Sequence, residues 1–195
     1  QPVRVAQLVE EMEHLLGTAV HKAARLAFDF ADGVPIIDAD PIQLRQVVMN
    51  LVTNAAEAIG VGSGTITVRT GRLEATREYL ADAQLGPTLT EGPYVFLEVE
   101  DDGHGMHPAT LARIFDPFFT TKFTGRGLGL AAVLGIVRSH KGAIKVYSEP
   151  KRGTTFKVLF PAGTQAEGPH PAEAPSAQSW RGSGSILVAD DEETV

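Results

Sequence analysis

The octapeptide Gly125-Arg-Gly-Leu-Gly-Leu-Ala-Ala132 constrains this 195-residue chain more than any other stretch. Three glycines at alternate positions run straight into an apolar helical segment, Leu130 to Val137. Such a junction leaves backbone N–H groups bare at a helix N-terminus, where the partial positive charge favours a phosphate. Residues 127–132 fit the Gly-x-Gly-x-x-Ala pattern of dinucleotide loops, but such a loop has to follow a buried strand. Here the preceding Phe119-Thr-Thr-Lys-Phe-Thr124 is polar and short, which excludes that reading. The lysine-bearing phosphate loop, Gly-x-x-x-x-Gly-Lys followed by Ser or Thr, does not occur in the sequence either. The segment therefore reads as a phosphate cradle of another kind, with its partners elsewhere in the chain.

Hydrophobic periodicity places those partners. Val5, Leu8, Val9, Met12, Leu15 and Leu16 predict a helix over 3–17 that ends near Gly17. Leu26, Phe28 and Phe30 alternate as a strand does. Asp40 and Pro41 form an N-cap and first-turn pair, predicting a long helix to Ile59. Strands follow over 65–70 and 94–100, with the polar, turn-rich 71–93 between them read as a surface excursion. Two further strands, 143–148 and 154–160, make a hairpin. After Pro161 the composition changes to Pro, Ala, Gly, Ser and Glu, so 162–184 reads as a flexible linker. Residues 185–192 then form a short apolar strand ending in acids.

The remaining bulk properties exclude function classes. A net charge of −7 argues against nucleic acid as a non-specific partner. No apolar run approaches the roughly 18–20 residues of a membrane span, so no direct membrane contact is expected. The absence of cysteine excludes disulfides and thiolate metal sites and fits a cytoplasmic setting.

Three clusters carry chemistry besides the glycines. On the long helix, Gln46, Asn50, Asn54 and Glu57 share one face beside the apolar stripe. Their neutral amide oxygens suit Mg²⁺, which accepts few protein ligands beside substrate phosphates; taken alone, the stripe is equally compatible with a solvated helix edge. In Val99-Glu-Asp-Asp-Gly-His-Gly-Met106 a strand ends in acids and turns on two glycines. A buried carboxylate there could accept from an exocyclic amine and so tell adenine from guanine, or the segment is an ordinary acidic turn. In Ile114-Phe-Asp-Pro-Phe-Phe-Thr-Thr-Lys122 three phenylalanines around a proline predict a compact apolar knot anchoring a loop, with Lys122 offering charge to a phosphate. His104 and His107 lack a third ligand at suitable spacing and read as turn residues, and His14, His21, His140 and His170 as solvated positions.

In this order the clusters resemble the ATP-binding catalytic domain of bacterial sensor histidine kinases. Asn50-Leu-Val-Thr-Asn-Ala55 resembles the asparagine box and Asp101-Asp-Gly-His-Gly105 the Asp-x-Gly-x-Gly box. Phe115-Asp-Pro-Phe-Phe119 resembles the phenylalanine box, Gly125-Arg-Gly-Leu-Gly-Leu130 the second glycine box, and Gly153-Thr-Thr-Phe156 the closing strand motif. The resemblance covers 1–161 and implies a two-layer α/β sandwich of the Bergerat type, a mixed sheet with helices on one face and ATP between them. It implies that Asn54 coordinates the Mg²⁺, with Asn50 assisting as ligand and catalytic residue. Asp101 would bind the adenine amino group, with Gly105 giving the base room and Gly103 also among the nucleotide-binding residues. Gly125, Gly127 and Gly129 would let a lid close, with Leu128 and Leu130 packed beneath it. Lys122 and Arg126 would contact phosphates, and Thr154 would lie near the adenine edge, with Thr155 as the alternative.

The gyrase, mismatch-repair and heat-shock chaperone ATPases share this fold but place a glutamate, as general base, where this chain has Asn50. The resemblance therefore implies phosphoryl transfer over hydrolysis. Glu11-Met-Glu-His14-Leu lacks the phosphoacceptor motif of the family's dimerisation hairpin, so the chain is expected to bind ATP without phosphorylating itself. Ile186-Leu-Val-Ala-Asp-Asp-Glu192 resembles the first strand of a receiver domain, which makes 185–195 the start of one and the parent a hybrid kinase. The implied partners are the histidine-bearing dimerisation domain and a receiver domain or response regulator.

Overall fold

The computed structural model describes residues 1–20, 24–60, 62–121 and 126–163. The 162–184 linker beyond residue 163, the strand over 185–192, His21 and His170 lie outside the described residues. Strands β1 (Pro2–Val3) and β3 (Ile37–Asp38) form a small antiparallel pair. The main sheet has five strands, β2 (Ala24–Phe30), β4 (Gly64–Ala75), β5 (Gly92–Asp101), β6 (Ala143–Glu149) and β7 (Gly153–Pro161), in the order β2-β4-β5-β7-β6. β2 runs parallel to β4 and every other pair is antiparallel, so the sheet is mixed.

The predicted long helix is α3 (Pro41–Ile59), and the Asp40 carboxylate accepts from the backbone nitrogens of Ile42 and Gln43, satisfying two of its orphan donors. Leu44, Val47, Val48, Leu51 and Val52 are wholly buried against the sheet. Each contributes about 1.5–3 kcal/mol by leaving water. After the short helix α5 (Pro108–Leu111), helix α6 (Gly129–Ser139) packs beside α3 through Val133, Ile136 and Val137. The N-terminal segment forms two seven-residue helices, α1 (Val5–Glu11) and α2 (Glu13–Ala19), where the spacing predicts one. The chain bends at Met12, yet Val5, Leu8, Val9, Met12 and Leu16 still bury as a single stripe. The second helix runs through Gly17 to Ala19.

The expected surface excursion over 71–93 is corrected. Strand β4 continues to Ala75 and pairs with β5 all the way to Gly92. The short helix α4 (Arg77–Ala81) and a 3-10 turn (Gly86–Thr88) then fold back. They enclose a second core of Ala75, Leu80, Ala83, Tyr94, Ala143 and Leu159. Tyr94 and Leu159 alternate along their strands with Val95 and Val158 of the main core, so this arm covers the sheet face opposite α3 and α6. Gln84 extends the contact by bonding both ways with Ile144 on edge strand β6. The rest of that outer face is polar, with Arg69 paired to Asp29, Glu98 and Glu100. Among the described residues no helix is long and apolar enough to cross a membrane.

Candidate functional site

Asp101 ends β5 opposite Thr154 of β7, on the sheet face that carries α3. Its side chain is 5% exposed, and burial pushes the carboxyl up to about 6. Hydrogen bonds from the backbone nitrogens of Gly103 and Thr154 and the nearby His104 oppose that rise, and Asp102 adds to it. The Gly103 nitrogen donates to Asp101 Oδ1 at 2.9 Å. Asp102 turns the other way and accepts from the Thr65 nitrogen at 2.9 Å, pinning the turn to the start of β4. The His104 nitrogen donates to the Ala58 carbonyl oxygen, which seats the same turn on the last turn of α3. A Cβ on Gly103 would come within 2.6 Å of that Ala58 carbonyl, so the close seat depends on the missing side chain.

Gly105 has φ +60, and a Cβ there would overlap the Glu149 carbonyl oxygen. Only glycine takes this left-handed conformation in this little space. Beyond it, the Met106 nitrogen donates to Ser148 Oγ, whose hydroxyl lies 2.9 Å from Thr154 Oγ1. Thr154 is thus buried and oriented beside Asp101, whereas Thr155 alternates to the outer face. The structure thereby separates the two threonines that the sequence left open. Ser148, which holds the Thr154 hydroxyl, carried no sequence signal.

On α3, Asn50 and Asn54 lie one turn apart and half-buried, while Gln46 and Glu57 are exposed. The start of α6 comes to this stripe, and a Cβ built on Gly129 would sit 3.5 Å from Asn50 Oδ1. Gly127, at φ +65, accepts at its carbonyl oxygen from the Phe118 nitrogen, and a Cβ on it would meet the Phe118 carbonyl carbon at 2.5 Å. Leu130 packs on the core, but Leu128 is 43% exposed, so the two do not share the predicted packing role. Arg126 is exposed. Lys122 and Gly125 lie outside the described residues.

The compact phenylalanine knot is corrected too. Phe115 reaches the core and Phe119 stacks under the Arg113 guanidinium at 4.3 Å, but Phe118 is 75% exposed on a φ of +67. The chain turns there to meet Gly127, and the turn throws the Phe118 ring outward. His104 and His107 are turn residues as expected, and His14 is exposed. His140 differs from expectation: it is half-buried and bonded through both ring nitrogens. The Asp101 turn is thus seated on the last turn of α3 and the start of α6 comes to Asn50 in the middle of the same helix, so α3 joins the desolvated carboxylate to the amide stripe and to a helix N-terminus.

The model of the family described as histidine kinase-, DNA gyrase B-, and HSP90-like ATPase matches residues 39–164. The chain is 34% identical to the sensor kinase CckA of Brucella abortus, over 98% of this chain and 21% of that protein. It is 36% identical to the sensory histidine kinase/phosphatase NtrB of Rhizobium leguminosarum, over 85% of this chain and 42% of that one. The chain therefore spans less than half the length of either relative. Among solved structures, full-length ShkA in complex with AMPPNP superposes with a TM-score of 0.68 at 27% identity, covering 86% of this chain and 32% of that one. The catalytic domain of the histidine kinase ThkA, at 23% identity and a TM-score of 0.61, shares the fold over 83% of this chain and 95% of its own.

Proposed function

The chain belongs to the family of histidine kinase-, DNA gyrase B-, and HSP90-like ATPases, and from that premise we propose that it is the catalytic part of a sensor histidine kinase. It binds Mg-ATP and hands the γ-phosphate to a histidine on a dimerisation hairpin. The observation that carries this reading is Asp101, a carboxylate almost wholly removed from water at a strand end. The glycines of its turn keep the backbone close and leave the base room. A desolvated acceptor discriminates strongly, because a base without the matching amino donor leaves it unpaired. Thr154 flanks it, and Ser148 fixes the Thr154 hydroxyl.

The opposite end of the site suits a triphosphate and its cation. Among the described residues no three His, Cys, Asp or Glu side chains gather to hold a metal. A cation here rests on amide oxygens and on the phosphates themselves, a set that Mg²⁺ accepts. Asn54 is the residue to hold it, with Asn50 assisting one turn earlier; Mg²⁺, when bound, supplies neutralisation of phosphate charge. The first N–H groups of α6 face the same space and favour an anion. Arg126, Lys122 and the glycines Gly125, Gly127 and Gly129 make the movable side of the cradle. Asn50 carries a neutral amide, which takes no proton from water, so transfer is favoured over hydrolysis.

Residues 1–161 are the catalytic domain in this reading, 162–184 a linker and 185–195 the opening of a receiver domain in a hybrid kinase. The end of the sheet at Pro161 supports the first boundary. The match to the Brucella kinase takes in 98% of the chain and so continues past that boundary. The partners are then the dimerisation hairpin and a receiver domain or response regulator, with cytoplasmic placement.

Calorimetric titration of ATP and GTP into this chain, with and without Mg²⁺, tests the site. Preference for ATP is expected, with a Mg²⁺-dependent gain that Asn54→Ala reduces roughly tenfold. A folded chain that takes neither nucleotide, or takes both equally, overturns the reading. Transfer of labelled phosphate to a supplied histidine hairpin separates a kinase from a binding module, and steady phosphate release without the hairpin would favour an ATPase.

A further inference from the structure

His140 follows α6 directly and uses both ring nitrogens. Nε2 lies 3.0 Å from the backbone nitrogen of Asp40, which can only donate. Nδ1 lies 2.7 Å from the Ile136 carbonyl oxygen, which can only accept. One nitrogen must therefore be bare and the other protonated, which fixes the ring as the neutral Nδ1–H tautomer. Ser139 Oγ also lies 3.1 Å from Nδ1, but its own hydroxyl donates to the Ile136 oxygen at 2.7 Å, so toward the ring it stands as an acceptor, in keeping with a proton on Nδ1. Phe160 of β7 meets the imidazole edge-on, with ring centroids 6.1 Å apart, and limits its rotation.

The Nε2 bond joins α3 and α6 at the end remote from the site. Asp40 caps the start of α3 and His140 caps the end of α6, while Gly129 at the start of α6 lies against Asn50 in the middle of α3. The helices are therefore antiparallel. From clamp to site the chain rises about 15 Å along α3 and about 16 Å along α6. Between those points the buried faces are aliphatic, with Leu44, Val47 and Val48 on one helix and Val133, Ile136 and Val137 on the other, and next to the clamp Ser139 Oγ reaches Gln43 Oε1 at 3.5 Å. The driving force for burying such faces is non-directional, and their packing alone leaves room for small axial adjustments. A directional hydrogen bond at one end narrows that room.

We propose that His140 is a positioning residue of the nucleotide site: its neutral ring locks α6 to α3 and holds the α6 N-terminus at its working distance from Asn50 and Asn54. The proposal rests on the nucleotide reading above. The charged groups on the elements meeting here are Asp40, Asp38 of β3, and Arg138 and Lys141 beside the ring in sequence. The Asp40 carboxylate is already engaged by Ile42, Gln43 and the Gln43 side chain. Protonating Nε2 would turn the clamp into two N–H groups facing each other.

Two measurements on this chain test it. Nitrogen NMR of the imidazoles at neutral pH should find His140 neutral with its proton on Nδ1; a proton on Nε2 overturns the proposal. Mg-ATP titrations then compare His140→Gln, whose Oε1 replaces Nε2 as acceptor, with His140→Phe, which keeps a ring against Phe160 but no acceptor. The glutamine variant should stay within about twofold of the parent and the phenylalanine variant weaken roughly tenfold. The Gly129 and Asn50 amide resonances of the free protein should move in the phenylalanine variant alone. A folded phenylalanine variant with unchanged affinity overturns the proposal, as does equal weakening in both variants. If the parent chain takes no Mg-ATP, the nucleotide reading fails by itself; the clamp is then judged on the tautomer and on the two amides, and is refuted if they stay still.

Discussion

Replacing Asp101 by asparagine should make the protein more stable and less able to bind nucleotide. The carboxyl has its pKa pushed up to about 6 from 3.8, chiefly by burial. That rise corresponds to about 3 kcal/mol of preference for the neutral form in the folded state. Because the folded pKa lies above the unfolded one, this contribution is fully present below pH 4 and is lost as the pH rises through 6. At neutral pH the ionised group therefore opposes folding by about 3 kcal/mol. Asparagine has nearly the shape of the protonated acid, can still accept from the Gly103 nitrogen, and never ionises.

Urea denaturation of both proteins across this pH range isolates the effect, since every other titrating group cancels in the difference. The variant's advantage should grow by about 3 kcal/mol between pH 4 and pH 7, which at the upper end is roughly 6–12 °C in Tm. The same change removes a charged acceptor, so affinity for ATP should fall about 10- to 150-fold. A flat difference curve, or one that favours the parent at neutral pH, would refute the claim that Asp101 is ionised there against its environment.

Three further outcomes follow from particular contacts. Gly105→Ala should destabilise by about 2–3 kcal/mol and abolish nucleotide binding, because the new methyl meets the Glu149 carbonyl on a φ of +60; a calorimetric scan showing no change would mean the turn adapts freely. Leu80→Ala should cost about 2–4 kcal/mol, measured by urea denaturation, since Leu80 is 2% exposed within the second core; a loss within the error of the method would return 71–93 to the status of a loop. Thr70→Val should stabilise by about 1 kcal/mol, because the Thr70 hydroxyl is buried without a partner among the described residues. Destabilisation of similar size in the same denaturation assay would reveal a partner such as water.

Local interactions explain what was legible in the chain. Helix α3 was readable to the residue because its cap, its first-turn proline and its apolar stripe all act within a few positions. The β6–β7 hairpin was readable because alternation and turn residues adjoin. The candidates for chemistry were legible for the same reason: glycines beside acids, and amides one helical turn apart, are near neighbours in sequence. The arm over 71–93 was misread because its polar residues dominate the composition. Leu80 and Ala83 count only once β5 and β7 supply Tyr94 and Leu159 from the far side of the sheet.

The sequence by itself therefore determined the alternation of helices and strands, the capped helix carrying Asn50 and Asn54, and the glycine turn at Gly103 and Gly105. Each follows from capping, periodicity or backbone freedom over a few residues. Only the tertiary structure decided that Thr154 and not Thr155 stands beside Asp101, that Phe118 points outward, and that His140 is a bonded clamp. Those outcomes depend on strand register and on partners as distant as Asp40 and His140, a hundred residues apart. Desolvation of Asp101 belongs with them, since a carboxyl acquires a shifted pKa only when the whole fold has removed its water.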